Sequence, residues 1–262
     1  MLASIQAALP GHPWRSRIHY FDTIDSTNTY AKQLAREGAP EGTTVIANHQ
    51  TGGRGRLGRS FSSPTGMGIY LSLILRPNCS PEELMHLTCA AGLAASDAVC
   101  SVTERCPGIK WTNDLIRARR KLGGILTELS VDPATGYVEW AVIGIGINCC
   151  QQPDDFPPEI RDIAISLGLS PTDRPRLIAA LIDTLFTTNH GLLTQKAEIM
   201  EHFRARCVTI GQEISILRGD QVSHGTALSV DDAGGLLVRL DDGTFTTVTS
   251  GEVSIRGMYG YL

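Results

Sequence analysis

The sequence predicts an α+β domain over residues 1–207 followed by a small all-β barrel over residues 208–262. Three observations carry this expectation. Up to Cys207, short apolar runs alternate with segments whose apolar residues recur at helical spacing. Beyond Cys207 only short strand-like runs remain, separated by Gly219-Asp220, Gly234-Gly235 and Asp242-Gly243. The 262 residues are 42% hydrophobic and 19% charged. That balance excludes disorder, collagen and coiled coil as the overall class, and a chain of this length holds a core without disulfides or metal.

The elements follow in order. Arg17 to Phe21 reads as a strand. Asp25-Ser26 offers a helix cap before Thr27 to Glu37, which Gly38 ends. Thr43 to Asn48 reads as a strand that feeds a glycine- and arginine-rich loop, Gly52 to Ser60, and Ile69 to Leu75 is a second apolar strand. Ser80-Pro81-Glu82-Glu83 combines a cap, a first-turn proline and acids near the positive dipole end. Leu84, Leu87, Ala91, Ala94, Ala95 and Ala98 then define a helix packed through small residues. From Gly108 to Cys149 the pattern is strand, polar segment, strand, turn at 132–136 and strand. A proline-rich connector, Pro153 to Pro158, precedes helices over Arg174 to Asn189 and Gln195 to Arg206. The final strands are expected at Val208 to Leu217, Val222 to Val230, Leu236 to Leu240, Phe245 to Thr249 and Val253 to Arg256.

Lys and Arg total 23 against 27 Asp and Glu, a formal charge of −4. A nucleic-acid coat protein is normally basic, so any basic site here is local. The seven cysteines form no C-x-x-C pair and no H-E-x-x-H motif occurs. They read as small buried apolar residues kept reduced in cytosol rather than as zinc ligands. Met1 to Pro10 lacks a basic leader, and the most apolar stretch, Trp140 to Cys150, is 11 residues long, far short of a span. A cytoplasmic protein without a membrane partner is expected.

Two positive clusters stand against the acidic background: Arg54, Arg56 and Arg59, and Arg117, Arg119, Arg120 and Lys121. A charge run is usually a solvated face. Glycines between the first three arginines favour an anion site instead, because bare backbone beside guanidinium forks suits an anion. Gly53 to Ser60 nearly spells a phosphate-binding P-loop, but the continuation Phe61 to Gly66 is loop and opens no helix. Gly144-Ile145-Gly146 reads as a strand whose glycines admit a close neighbour, protein or ligand. In Lys110-Trp111-Thr112-Asn113-Asp114, the Lys and Asp read either as a phosphate-and-metal pair or as a surface ion pair. Lys121, ahead of Gly123-Gly124, is either a hairpin-tip lysine or an ammonium beside backbone that a ligand approaches. Ser26, Thr27, Asn28 and Gln50 are neutral donors and acceptors; Ser26 is a cap, and together the four suit a pocket for a neutral polar group.

Taken together these segments resemble the biotin–protein ligase family, also called biotin–acetyl-CoA-carboxylase ligases. The matching pieces occur in family order: Asp25 to Asn28, Gln50 to Arg59, Ser63-Pro64, Lys110 to Asp114, Lys121 to Leu126, Gly144 to Asn148 and Ser250-Gly251-Glu252. The resemblance implies a catalytic domain of the class II aminoacyl-tRNA synthetase and biotin synthetase type, followed by an SH3-like β-barrel. It implies ATP-dependent attachment of biotin to a lysine of a biotin carboxyl carrier protein through biotinyl-5'-adenylate, with ATP and Mg²⁺ required. By resemblance, Ser26, Thr27, Asn28 and Gln50 hold biotin. Arg54, Gly55 and Arg56 close over biotin and adenylate, and Lys121 contacts the reacting carboxylate and phosphate. Arg54, Arg56 and Lys121 are thus the catalytic candidates. Arg56, Arg59, Lys110, Asn113 and Asn148 are assigned to the nucleotide, with Asn148 at adenine, and Asp114 to Mg²⁺. Thr112 departs from the family's usual Pro, and Phe61 from its frequent Trp. The first motif begins at Asp25, too early to leave room for a helix-turn-helix, so no nucleic-acid role is expected. A monomer or homodimer is expected. The rival readings are a lipoate or octanoate transferase of related fold and a phosphate-binding nucleic-acid module.

Overall fold

A computed structural model describes residues 1–218, 221–249 and 252–255. The chain opens with a short helix that the apolar pattern did not signal, α1 (Leu2–Ala7), which buries Ile5 and packs on a later helix. Strand β1 (Ile18–Phe21) precedes α2 (Thr27–Arg36), capped as expected by Ser26. Strands β2 (Thr44–Ala47) and β3 (Gly68–Leu75) flank the arginine loop. Helix α3 (Leu87–Thr103) leads to β4 (Gly108–Lys110), β5 (Asp114–Arg117), β6 (Arg120–Val131) and β7 (Val138–Asn148). Helices α4 (Arg174–Gly191) and α5 (Lys196–Arg206) complete the first part.

These strands form one seven-stranded sheet in the order β1-β2-β3-β7-β6-β5-β4, parallel at β1–β2 and antiparallel elsewhere. Side chains alternate across a strand, so each strand feeds two faces. On β3, Ile69, Leu71, Leu73 and Leu75 enter the core beneath α3 and α4; on β7, Ala141, Ile143, Ile145 and Ile147 do the same. The opposite positions Ile74, Trp140 and Val142 pack under α2 with Ala31 and Ala35. Further along that second face stand Ser72, Gly144 and Gly146, small residues that leave room above the sheet.

Helix α3 is buried on nearly all sides rather than along one stripe, and Gly92 lets Ile109 and Ile125 approach its backbone. The 22-residue stretch Glu82–Thr103, twice the length of Trp140 to Cys150, is long and apolar enough to cross a membrane by length and composition; in the fold it is a core helix, mostly buried. The expected cap forms on a 3₁₀ turn, Glu82–Leu84, ahead of α3, where Ser80 N–H donates to Glu83 Oε2 and Glu83 N–H to Ser80 Oγ; α3 itself begins after His86 without a side-chain cap. The cysteines depart from a fully reduced set. The chain reverses through Glu104 in the left-handed region and brings Cys106 back to Cys100, to which it is joined as a disulfide; Cys79, Cys89, Cys149, Cys150 and Cys207 are buried thiols.

A five-stranded antiparallel sheet follows, of strands β8 (Glu213–Arg218), β9 (Gln221–Val230), β10 (Leu236–Leu240), β11 (Phe245–Val248) and β12 (Glu252–Ile255), in the order β11-β10-β9-β8-β12. The mixed α/β domain with a small β domain behind it is the fold class the sequence predicts. Strand β8 begins five residues later than the apolar pattern at Val208 suggests. Those residues serve another purpose: Val208 N–H donates to Ile109 O, and Thr209 Oγ1 accepts from Trp111 N–H. The turn expected at Gly219-Asp220 and the Ser250-Gly251 part of the last motif lie outside the described residues.

Ala95 is fully buried in α3. Ala95→Leu overpacks it and is expected to cost about 1–3 kcal/mol. In a chain of this size thermal unfolding should show that as a loss of about 2–4 °C per kcal/mol.

Candidate active site

A cavity of about 140 Å³ opens on the second face of the large sheet, over Gly144, Gly146 and Gly124. It gathers most of the sequence-predicted residues: Ser26, Asn28, Gln50, Arg54, Gly55, Arg56, Arg59, Lys110, Asn113, Asp114 and Lys121. Thr27 and Asn148 are outside its lining. Thr27 lies one layer behind, and Asn148 is buried with Nδ2 donating to Ile165 O and Oδ1 accepting from Gln151.

The neutral wall is built by α2, by Gln50 and Ser63 from the matched motifs, and by further side chains that no motif flagged. Gln50 Oε1 accepts from the Thr27 backbone N–H at 2.8 Å, a group that only donates. The amide is therefore fixed with Nε2 outward, where one hydrogen goes to Ser63 Oγ at 3.0 Å. Asn28 is fixed in the same manner. Its Nδ2 donates to Glu128 Oε2 at 2.9 Å, so its Oδ1 turns toward Ser72, whose hydroxyl lies 2.6 Å away. Glu128 Oε1 also accepts from Lys32 Nζ at 2.6 Å. Burial pushes the Glu128 carboxyl up, but hydrogen bonds from Lys32 and Asn28, with the charges of Lys32 and Arg54, outweigh it and hold the group below the usual glutamate range. A Cβ at Gly144 would collide with the Asn28 amide, and one at Gly146 would sit 2.7 Å from the Phe61 ring. The close neighbours of those two glycines are thus side chains of the chain itself. Ser63 belongs to the Ser63-Pro64 match, whereas Ser72, Glu128 and Lys32 lack a motif; of these only Ser72 carries a sequence cue, a polar residue inside the apolar run of β3.

The charged end is built by the β5–β6 hairpin and the arginine loop. Asp114 faces Gly124 in the ladder, and Lys121 Nζ reaches back to Asp114 Oδ1 at 2.7 Å. A Cβ at Gly124 would lie 3.4 Å from Asp114 Oδ1 and 3.6 Å from that ammonium, ordinary contact distances, so the ion pair packs directly against this position. Lys110 is 2% exposed. The loop folds on itself through Gly55 N–H to Arg59 O and Phe61 N–H to Gly53 O, and Leu57 and Gly58 adopt positive φ. A single 3₁₀ turn, Arg56–Gly58, stands where a P-loop needs a helix. Arg56 Nη1 donates to Asn113 Oδ1 at 2.8 Å and to Thr112 Oγ1 at 3.3 Å, which ties the loop to the segment after β4, where the Trp111–Thr112 peptide is cis. The second basic cluster divides. Lys121 faces this cavity, whereas Arg117 and Arg120 line a separate one of about 240 Å³ with Arg161, and Arg117 donates to Ser166 O and Leu167 O.

The cavity carries neutral donors at one end and cations at the other, on a mixed sheet that a small β domain follows. Residues 20–148 match the Biotin/lipoate A/B protein ligase family, and residues 209–256 match the Biotin protein ligase C terminal domain. The chain belongs to the biotin protein ligase family. It is 35% identical over 235 residues to the bifunctional ligase/repressor BirA of Bacillus subtilis, covering 86% of this chain and 70% of that protein. It is 33% identical over 246 residues to the biotin–[acetyl-CoA-carboxylase] ligase of Mycobacterium tuberculosis, covering 92% and 88%. The biotin protein ligase of Aquifex aeolicus, solved with biotin and ATP, aligns with a TM-score of 0.73 and 29% identity over 91% of this chain and 98% of that one.

Because the Glu128 carboxyl is held below its unfolded value, its contribution to stability is complete near neutrality and is lost as pH falls through the folded value. Glu128→Gln should lower stability at pH 7. It should also flatten the acid limb below about pH 4.3, the ordinary glutamate value, in urea titrations.

Proposed function

We propose that the chain attaches biotin to a specific lysine of a biotin carboxyl carrier protein in the cytoplasm, through a biotinyl-5'-adenylate made from biotin and ATP. Residues 1–207 form the catalytic domain and 208–262 the C-terminal domain. One observation carries the reading: the neutral polar wall at Gln50 and the cations Arg54, Arg56, Lys110 and Lys121 line a single cavity.

The first step requires a carboxylate to attack a phosphate, and both are anions. At about 4 Å and an effective dielectric of about 20, like unit charges repel by roughly 4 kcal/mol. Arg54, Arg56 and Lys121 offset that repulsion, and Lys121 stands at the reacting carboxylate and α-phosphate with its ammonium aimed by Asp114. The fixed Gln50 amide turns its remaining hydrogen to the ureido end of biotin, beside Ser26, while Asn28 and Thr27 brace the wall. Arg59, Lys110, Asn113 and Asn148 serve the nucleotide. The mixed anhydride is sensitive to water, and the arginine loop excludes it by closing when the ligand neutralises its guanidinium groups.

Mg²⁺ fits the donor set in a limited way. Asp114 is the carboxylate lining the cavity among the described residues, and no cluster of three or more metal-binding side chains occurs among them. Mg²⁺ commonly rests on substrate phosphates with one or two carboxylates. Asp114 would hold it here, and the ion would supply charge neutralisation at the phosphates.

The deciding experiment is mass spectrometry of a biotin-carrier domain incubated with the chain, ATP, Mg²⁺ and biotin. A carrier that gains lipoate but not biotin from an equimolar mixture would overturn the reading. Lys121→Ala should slow adenylate formation by about 10²–10³-fold while ATP binding changes far less, as removal of a preorganised electrostatic group does. A variant that releases pyrophosphate at the parent rate removes Lys121 from the mechanism. The loop, with Leu57 71% exposed, should be cut by protease between Gly52 and Ser60 in the free chain and protected with biotin and ATP. Equal cleavage in both states would refute closure.

A further inference from the structure

Arg174 is 3% exposed, the most deeply buried arginine among the described residues. It opens α4, where the helix dipole disfavours a cation. No carboxylate lies within ion-pair distance of it among the described residues. A buried charge without a counterion is costly, and rules of this kind are broken mainly at functional positions.

Its guanidinium spans the point where β2 and β3 part. The ladder between those strands ends at the pair Ala47–Tyr70. Just beyond it, Arg174 Nη1 donates to Asn48 Oδ1 at 3.1 Å and Nε donates to Gly68 O at 3.0 Å. Asn48 and Gly68 are the two stems of the segment that carries Gln50, the arginine loop, Phe61 and Ser63. The stems are also tied to each other, through Gly66 N–H to Asn48 O at 3.1 Å and Gln50 N–H to Ser63 O at 3.3 Å. Tyr70, whose ring stands edge-on to Phe61 at 6.4 Å, donates its hydroxyl to Pro64 O at 2.9 Å. The planar fork of an arginine meets two acceptors at fixed angles, which a lysine ammonium on a flexible stem does not.

We propose that Arg174 is a positioning residue for biotin activation. It holds the two stems of segment 48–68 at one separation, so that Gln50 and Phe61 keep their places while the arginine loop closes. This rests on the function proposed above, but the tie itself is testable without substrate. In the full-length chain, Asn48→Ala removes one acceptor and leaves the charge, whereas Arg174→Lys keeps the charge and loses the fork. Each should raise the KM for biotin in adenylate formation about tenfold, as loss of a hydrogen bond to a charged group does, and that for ATP by less than about twofold. A merely structural lesion lowers the folded fraction and with it kcat, but leaves the KM of the surviving enzyme at the parent value. Asn48→Asp retains the acceptor, and Asn48 Nδ2 has no hydrogen-bond partner among the described residues, so this variant should keep the parent KM. Without ligands, hydrogen exchange at Gly66 N–H should quicken at least about tenfold in Asn48→Ala and Arg174→Lys but not in Asn48→Asp. An unchanged biotin KM in Asn48→Ala would overturn the proposal. So would an Asn48→Asp chain as impaired as Asn48→Ala, or parent-rate exchange at Gly66 in every variant. Should Arg174→Lys not fold, the contrast between Asn48→Ala and Asn48→Asp decides. A parent chain that forms no biotinyl-adenylate, with the exchange contrast intact, would instead count against the proposed function.

Discussion

Glu128 accepts hydrogen bonds from Lys32 Nζ and Asn28 Nδ2, and the orientation of the cavity's neutral wall follows from that pair of contacts. A carboxylate only accepts, so Asn28 has one amide orientation open to it, and Ser72 receives an acceptor in consequence. The Thr27 backbone N–H does the same for Gln50. Two unambiguous groups, a carboxylate and a peptide N–H, thereby determine which way every amide in the wall faces. Buried polar groups are costly when any member lacks a partner. Ser72 and Asn28 are almost entirely buried, so the wall holds as a unit.

The opposite end of the cavity obeys a different constraint. Like charges brought together need a permanent counterweight, and flexible side chains supply it well only when their geometry is set beforehand. Asp114 sets Lys121, and Asn113 with Thr112 sets Arg56. Backbone supplies the remainder of the arrangement. Asn113 O accepts from Ile125 N–H and its Nδ2 donates to Ile125 O, which clamps the turn after β4 to β6. The ion pair and the arginine therefore move with the sheet rather than with solvent.

Much of this was legible in the sequence because it depends on local patterns. The Ser26 cap, the apolar runs on β3 and β7, and the turn residues at 132–136 each report short-range physics, and each element forms close to where it is expected. Glycines in Gly-Arg-Gly-Arg and Gly-Ile-Gly announced close approach, though the neighbours at Gly144 and Gly146 are Asn28 and Phe61. What escaped was long-range pairing. Glu128 lies 100 residues from Asn28, and a lone Glu on a strand reads as a solvated residue. Val208 to Ile210 alternates like a strand but spends its hydrogen bonds on β4 and Trp111, a distinction no local pattern contains. The cysteine pair at 100 and 106 depended on where Glu104 turned the chain.

Trp111 shows how the small C-terminal sheet bears on the cavity. Its indole Nε1–H donates to Gly234 O at 2.8 Å, and its backbone N–H donates to Thr209 Oγ1 at 2.8 Å. Gly234 has positive φ in the β9–β10 turn, where Asp231 Oδ1 accepts from the N–H groups of Ala233 and Gly235, so the carbonyl that meets the indole is held by the turn itself. Lys110 precedes Trp111, and Asn113 and Asp114 follow two and three residues after it, so the chain on each side of the indole contact carries groups of the charged end. A buried indole left without its acceptor incurs a desolvation cost of about 1–3 kcal/mol. Separation of the small sheet from the large one would therefore be felt first at Trp111. The placement of Lys110 and Asp114 against Lys121 is a property of both sheets together.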